Sequence, residues 1–331
     1  SDWSSDVCSS DLIFIQKFKD RYFINNFLDN LKRIKLIENK LIVDKQGFVS
    51  NIPHQKKILV CLGSGKNIYI TFHELIHLAA LKYDEELDDY YGGFSQSTID
   101  NNLGRALDEA YTDLLTYRYF AKSIMVGYTD SCYAPYILIA HLLESVIGSK
   151  KMEEYYFNAD LKGLVSELSN YTSYEKIIEI INKSDFLLKH QKTIFNKKGL
   201  LKKSNIQTEN KELWYELYSE IIRDLYFLSI DKYIKSYQEE SISYHEAVIL
   251  IRERLKYIER VIYLLVIDGN YFDTDIWFGI AVNKLEIKIP SKPEVNPIIV
   301  VSALNTLFIS FFLAPKLRKI PISFVRSKTE I

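Results

Sequence analysis

The sequence predicts a mainly α fold of the α+β class, in which a small antiparallel β-sheet is followed by a helical body. Its 331 residues include only 12 glycines and 7 prolines, fewer than a many-turned β-sandwich or barrel normally needs. Apolar residues recur at helical spacing over most of the chain. Two short segments near the N-terminal end instead have apolar runs on both sides of turn residues, which is typical of strands.

The overall composition excludes several classes of protein. With 42 basic and 43 acidic side chains the net charge is −1, so no global field exists to hold nucleic acid. The 47% of hydrophobic and 26% of charged residues exclude extended disorder and a multi-span membrane protein. The three cysteines, Cys8, Cys61 and Cys132, are too few for a disulfide framework, and none lies in a CxxC pair.

Residues 1–12 differ from the rest of the chain. They read SDWSSDVCSSDL, without an initiator Met, whereas the Ile-, Lys-, Asn- and Tyr-rich composition begins at Ile13. The stretch resembles translated sequencing-adapter read-through, and we interpret it as a non-native tail, with a natural polar tail as the alternative. Since this interpretation removes the native N-terminus and any signal peptide, we expect a cytoplasmic location by default and membrane anchoring as the alternative.

The first native-like segments predict helices and then strands. Residues 13–39 have the apolar spacing of one or two amphipathic helices. Residues 41–49 and 57–71 each place turn residues between apolar runs and predict the small antiparallel sheet. The GSGK at 63–66 lacks the upstream Gly of a phosphate-binding loop, and Asn67 stands where Ser or Thr should follow, so a hairpin turn is favoured.

The rest of the chain has mostly helical periodicity. The predicted helices span 71–83, 103–125, 132–148, 160–169, 174–190, 211–238 and 243–266. The polar, basic stretch 196–210 is the best candidate for a boundary. We therefore predict one region at 13–195 and a mostly helical C-terminal region at 196–331, either as two domains or as one continuous domain.

Two segments near the C-terminal end have other patterns. Residues 269–290 are strand-like, and 298–314 form the most apolar window of the chain. Seventeen residues is the short limit for a membrane span, and Asn305 and Thr306 near the middle would be costly in lipid. We therefore favour a buried core helix over a membrane anchor.

One motif points to metal chemistry. His73, Glu74 and His77 form HExxH within an apolar, helix-forming run. Residues at i and i+4 lie on one helical face about 6 Å apart, so both imidazoles can reach one metal ion, whereas Glu74 projects in another direction. Glu109 follows 32 residues after His77 on a second predicted helix and can supply the third protein ligand of a catalytic zinc site.

The two segments together resemble a known arrangement. HELIH at 73–77 followed by DEAYTD at 108–113 is similar to the gluzincin pattern, HExxH…ExxxD, of the thermolysin-like zinc metallopeptidases. The resemblance implies one bound Zn²⁺ ion and a supporting carboxylate that orients a ligand histidine. The implied residues are His73, His77 and Glu109 as zinc ligands, Glu74 as general base and Asp113 as the supporting carboxylate.

The resemblance covers only about residues 71–120, and Asp108 stands where the family usually has Asn. Compact gluzincin-like proteins of low-G+C bacteria carry a Gly-Phe segment and an EGxT-like second motif, to which residues 92–94 and 109–112 are similar. For Glu109 and Asp113 the alternative is a solvated helix face.

The function that the resemblance implies is that of a bacterial zinc metallopeptidase, a hydrolase acting on peptide or protein substrates, with 13–195 as a zincin-like catalytic domain. Two imidazoles and one carboxylate leave Zn²⁺ a net positive charge that brings the pKa of a bound water toward about 7. Glu74 is then expected to take a proton from this water and pass it to the leaving amine. The alternative is a non-catalytic zinc-braced binding protein, attached to a membrane through 298–314.

No motif identifies the donor that stabilises the tetrahedral oxyanion. The candidates are Tyr90, Tyr91, Tyr111 and His245, and for each of them a packing or surface role is the favoured interpretation. His141 lies in an apolar run and is interpreted as a core histidine. Cleavage preference has no signal in the sequence.

Overall fold

Ten helices and seven short strands form the described part of the protein, in a computed structural model. The structure describes residues 3–36, 48–52, 57–61, 68–86, 88–97, 102–124, 133–194 and 208–262. Helices dominate these ranges, which confirms the mainly α prediction.

Most of the ten helices lie where the sequence predicts them. They are α1 (Trp3–Phe18), α2 (Ile24–Leu31), α3 (Ile68–Ala80), α4 (Arg105–Ile124), α5 (Ala134–Ile147), α6 (Ser149–Phe157), α7 (Leu161–Leu168), α8 (Tyr174–Ile194), α9 (Thr208–Gln238) and α10 (Tyr244–Ile262). Helix α1 begins within the tail predicted at 1–12, and Ser10 of this tail is buried. Because α9 packs on α5 and α8, the helices on the two sides of the predicted 195/196 boundary are in contact.

The strands form three small sheets. They are β1 (Ile34–Leu36), β2 (Phe48–Ile52), β3 (Lys57–Cys61), β4 (Leu81–Asp84), β5 (Asp89–Gly92), β6 (Gln96–Ser97) and β7 (Asn102–Leu103). In the first sheet β3 is central, antiparallel to β2 and parallel to β1. The pairs β4–β5 and β6–β7 are antiparallel hairpin-like sheets that follow α3.

The small sheet before α3 is confirmed, but two details of its prediction are wrong. Residues 34–36 lie in a segment predicted as helix, yet they form β1, because Ile34 and Leu36 pair in parallel with Ile58 and Val60 of β3. The predicted strand that ends at Thr71 is instead the first turn of α3, where Tyr69 reaches Asp113 on α4. The predicted turns at 44–47 and 63–65 lie outside the described residues.

The remaining helix predictions agree with the structure within a few residues, with two exceptions. Residues 81–83 form part of β4, since Leu81 pairs with Gly92 of β5. Helix α6 was not predicted because Ser149–Phe157 is short and largely polar, although Met152, Tyr156 and Phe157 are buried. The strand-like segment 269–290 and the apolar window 298–314 lie outside the described residues, and no helix within the described ranges is long and apolar enough to cross a bilayer.

Aromatic side chains join α1 and α2 to the helices that carry the metal motif. Phe72 of α3 stacks on Phe120 of α4 with ring centroids 3.9 Å apart and planes 7° from parallel. Phe14 of α1 stacks in turn on Phe120 and on Phe27 of α2. This buried contact holds α3 and α4 side by side, which positions the two halves of the site.

Candidate metal centre

The HExxH helix is held firmly at its C-terminal end. Asn30 of α2 donates to the carbonyl oxygens of Leu78 and Leu81, each at 2.9 Å, and Asn26 donates to that of Ala79 at 2.9 Å. The last carbonyls of a helix lack partners within the helix, so these amides satisfy groups that would otherwise be buried without hydrogen bonds. Helix α3 is thereby anchored close to its motif.

The second helix of the site is held at its N-terminal end. Asp185 of α8 accepts hydrogen bonds from the backbone N–H of Gly104 at 2.6 Å and of Ala106 at 2.7 Å. A carboxylate at this place satisfies the free N–H groups and interacts favourably with the helix dipole. The contact joins residues 79 and 81 positions apart and sets the position of α4.

Three ligand atoms predicted from the motifs converge. His73 Nε2 lies 3.1 Å from His77 Nε2 and 3.3 Å from Glu109 Oε2, and His77 Nε2 lies 3.6 Å from the same carboxylate oxygen. Zn–N and Zn–O bonds of 2.0–2.2 Å at tetrahedral angles require ligand atoms about 3.4 Å apart. The donor set and its spacing therefore fit a metal ion, and His73, His77 and Glu109 are the group that could hold it.

The hydrogen bonds of His73 show which of its two ring nitrogens is available to bind a metal ion. His73 Nδ1 lies 2.6 Å from Asp113 Oδ1, and Asp113 is fully buried and also accepts from the Tyr69 hydroxyl. A carboxylate accepts, so Nδ1 donates, and in the neutral imidazole that binds a metal Nε2 keeps its lone pair. Asp113 thus supports His73 in the way that carboxylates orient metal-binding histidines.

The same reasoning applies to His77. Its Nδ1 faces two oxygens, Thr112 Oγ1 at 3.4 Å and Asp108 Oδ2 at 3.5 Å. With Nδ1 donating on that side, Nε2 of His77 and Nε2 of His73 direct lone pairs toward each other and toward the Glu109 carboxylate. A positive charge among the three atoms, either a metal ion or a proton on one of the imidazoles, removes this repulsion.

Electrostatics keep Glu109 in the form that binds metal. Burial raises the pKa of its carboxyl, but the hydrogen bonds to His73 and His77 outweigh burial and hold the pKa well below its ordinary value. The imidazoles respond in the opposite direction. Burial lowers the pKa of His73, yet the charge of Asp113 and the hydrogen bonds to Asp113 and Glu109 raise it well above the ordinary value.

Glu74 lies beside the ligands without belonging to them. Its side chain is buried, and burial raises the pKa of its carboxyl to about 7, although the neighbouring His73 and His77 lower it. A bound dication would lower this pKa, because its charge favours the carboxylate form. With a metal ion bound, the carboxylate form, which can accept a proton from water, is therefore favoured.

Asp108, which in the sequence is only a departure from the family pattern, lies between the segment at 92–94 and His77 in the structure. Its Oδ1 accepts from the backbone N–H of Phe94 at 2.8 Å, and its Oδ2 faces His77. Gly93 has φ +56°, and a Cβ at this position would overlap Asp108 Oδ1. The glycine-containing segment 92–94 and the DEAYTD motif were both visible in the sequence, but their contact was not.

The structure brings three further residues near the two histidines, to none of which the sequence analysis gave a role. Thr112, one turn after Asp108, is fully buried, and Tyr156 comes from the unpredicted helix α6. Tyr133 lies on the side of His73, where its ring is nearly parallel to the imidazole at a centroid distance of 6.1 Å. The chain contains 24 tyrosines, and the sequence alone could not indicate which of them lie near the site.

The candidates for an oxyanion donor are spread over the molecule. Tyr111 is buried and donates to Glu144 Oε1 at 3.0 Å, and the Tyr90 hydroxyl accepts from Arg33 at 3.3 Å. Tyr91 lies on β5 with 40% of its surface exposed, and His245 lies at the exposed start of α10. The core histidine predicted at His141 is only partly buried, with Nδ1 3.7 Å from Glu144. The oxyanion donor remains unassigned.

Comparison of the chain with protein-family models, with curated proteins and with solved structures gives no match. Function is therefore inferred from the chemistry of the site itself.

Proposed function

We propose that the protein is a zinc-dependent metallopeptidase of the gluzincin type, a hydrolase that cleaves peptide bonds in peptide or protein substrates. The observation that carries the proposal is the convergence of His73 Nε2, His77 Nε2 and Glu109 Oε2, separated by 3.1, 3.3 and 3.6 Å, beside the buried carboxyl of Glu74. Both helices that supply these residues are anchored by hydrogen bonds at the end nearer the site.

The donor set favours zinc over magnesium and calcium. Mg²⁺ and Ca²⁺ prefer sites made of oxygen atoms, whereas two imidazole nitrogens and one carboxylate oxygen form a known catalytic zinc set. Three protein ligands leave a coordination position open, which is typical of catalytic sites, while structural zinc sites are closed by four protein ligands.

When bound, zinc supplies Lewis-acid chemistry, because it polarises a carbonyl oxygen and lowers the pKa of water. The chain's own residues supply the proton transfers. Glu74 is buried and interacts with both histidines, so its carboxylate would take a proton from the attacking water and deliver it to the leaving amine nitrogen. Asp113 holds His73 with Nδ1 as the donor, which keeps Nε2 directed at Glu109 and His77.

The experiment that tests this proposal compares wild type with Glu74→Gln. Zinc content is measured by atomic emission, fold by circular dichroism, and hydrolysis by mass spectrometry of a mixed peptide library. We expect the variant to retain zinc and fold, because Glu74 is not a ligand, and to lose about 10²–10⁴-fold in hydrolysis, the usual contribution of a general base. Glu154→Gln, at an exposed position of α6, is the matched control and should behave as wild type.

The outcomes separate the two functions considered. If wild type binds zinc but neither it nor the control cleaves any peptide, the enzyme proposal fails and the non-catalytic zinc-braced protein is the better description. If Glu74→Gln cleaves as fast as wild type, Glu74 is not the base. If wild type binds no zinc, both functions are excluded.

A further inference from the structure

Tyr156 approaches the candidate metal centre from α6 although it lies far from the motifs in sequence. Its side chain is fully buried, and its hydroxyl lies 2.5 Å from Thr112 Oγ1 on α4. The ring packs edge-on against Phe94 and Tyr111, with both centroid distances 5.3 Å. Burial raises the pKa of Tyr156 well above its ordinary value, so the hydroxyl keeps its proton.

The hydrogen atoms around Thr112 can be counted. Thr112 Oγ1 has three polar neighbours: the backbone oxygen of Asp108 at 2.8 Å, the Tyr156 hydroxyl at 2.5 Å and His77 Nδ1 at 3.4 Å. A threonine hydroxyl offers one donated hydrogen and two lone pairs. Thr112 Oγ1 donates its single hydrogen to the Asp108 carbonyl one turn earlier in α4, a bond that threonine side chains often make within helices. Oγ1 then accepts from Tyr156 and from His77.

We propose that Tyr156 is a positioning residue of the metal site. By donating to Thr112 Oγ1, Tyr156 keeps the threonine hydrogen directed at the Asp108 carbonyl, so that Thr112 offers His77 Nδ1 only a lone pair. His77 Nδ1 must then carry the hydrogen, and Nε2 keeps the lone pair that points to His73 Nε2 and Glu109. The inference rests on the metal binding of the proposed function, but it does not depend on peptide hydrolysis.

The contacts of Tyr156 explain why this role needs a tyrosine that is rigidly held. Its ring packs against Phe94, and a Cβ on Gly93 would also meet the edge of the ring. Asp108 Oδ2 lies 3.5 Å from His77 Nδ1 and adds an attractive charge there, whereas Thr112 Oγ1 supplies the hydrogen-bond acceptor. Tyr156, Thr112 and Asp108 thus form one connected support for His77, on the side away from the metal.

The test measures the affinity of the metal-free protein for Zn²⁺ by competition with a chromophoric chelator. Loss of a residue that supports a ligand histidine typically lowers metal affinity about 10–100-fold. We expect Tyr156→Phe to weaken Zn²⁺ binding by about tenfold, at the lower end of this range because it acts through Thr112. Thr112→Val should lose at least as much, and Thr112→Ser, which keeps the hydroxyl, should bind like wild type.

Two comparisons separate positioning from a general effect on the fold. Tyr155→Phe removes a hydroxyl from the neighbouring residue of α6. The Tyr155 hydroxyl lies 3.5 Å from Glu167 and not at the site, so this variant should bind zinc with unchanged affinity. In a double-mutant cycle, Tyr156→Phe should change nothing further once Thr112 is Val, because its effect passes through the threonine. Wild-type affinity in Tyr156→Phe, or additive losses in the double variant, would overturn the proposal.

A measurement on the wild-type protein needs no substitution of the support. Nitrogen-15 spectra of histidine-labelled, zinc-loaded protein report which imidazole nitrogen carries hydrogen, with the His77 signal assigned by its loss in His77→Gln. Hydrogen on Nδ1 supports the proposal, and zinc on Nδ1 overturns it. If wild type binds no zinc, the proposed function itself has failed, whereas normal zinc binding with an unaffected Tyr156→Phe variant refutes this inference alone.

Discussion

Gly93→Ala tests whether the segment at 92–94 holds the support of the metal site. Gly93 has φ +56°, and a Cβ there would overlap Asp108 Oδ1, which accepts from the Phe94 N–H at 2.8 Å. The left-handed conformation costs a residue with a Cβ about 1 kcal/mol. Displacing the buried carboxylate from its N–H partner costs about 2 kcal/mol more. We expect a loss of about 3 kcal/mol in the free energy of unfolding of the metal-free protein.

The decisive readout is zinc affinity, since many substitutions lower stability. Moving the Asp108 carboxylate removes a negative charge from beside His77 Nδ1, so zinc affinity should fall about tenfold or more. Gly148→Ala is the matched control. Gly148 has φ +90°, and a Cβ there would have no atom within 4 Å, so the variant carries backbone strain of about 1–3 kcal/mol without a clash.

Both variants are measured by urea unfolding in the presence of a chelator and by Zn²⁺ titration. Gly148→Ala should unfold more easily but bind zinc with wild-type affinity. Gly93→Ala should show both losses. Wild-type zinc affinity in Gly93→Ala would refute the reasoning that the contact between Gly93 and Asp108 positions His77.

Three further predictions concern other residues. Loss of a supporting residue lowers metal affinity about 10–100-fold, and Glu109→Ala, which removes a ligand, should lower zinc affinity by more than this. Undiminished zinc occupancy in calorimetry would remove Glu109 from the ligand set. Asp113→Asn should weaken zinc about tenfold, because His73 Nδ1 loses its charged acceptor, and equal titrations of variant and wild type would contradict this role. Burial raises the pKa of Asp231 on α9 to about 6, so its ionisation opposes folding as the pH rises from about 4 to above 6. Asp231→Asn should therefore raise the free energy of unfolding by about 1 kcal/mol at pH 8, a gain reduced by the partial exposure of the side chain, and leave it unchanged near pH 4. Urea unfolding at both pH values measures this difference. Equal stability of variant and wild type at pH 8 would contradict the prediction.

Local periodicity predicted most of the helical body. Helix α3 and helix α4 carry long apolar stripes, and helix formation depends on contacts between neighbouring turns, so their positions could be read from the sequence. Short elements were harder to predict from the periodicity of the sequence. Helix α6 has nine residues and a polar surface, and β1 has three residues whose pairing with β3 depends on a segment more than 20 positions away.

The sequence alone predicted the three residues that could hold a metal ion. HExxH places His73 and His77 on one face of α3 because residues four apart share a face, and the second motif proposed Glu109 as their partner. Nothing local could show that α3 and α4 cross where these three atoms meet within 3.6 Å of one another.

The resemblance implied that Asp113 supports His73, but only the tertiary structure showed this contact and brought Thr112 and Tyr156 to the side of His77. Asp113 is 40 positions from His73, Thr112 is 35 from His77, and Tyr156 is 44 from Thr112. Such hydrogen bonds depend on how separate helices pack and leave no periodic trace along the chain. The spacing of His73 and His77 within one helix therefore predicted the face that could bind a metal ion. The packing of α3, α4 and α6 placed a hydrogen-bond partner at the Nδ1 of each of these histidines.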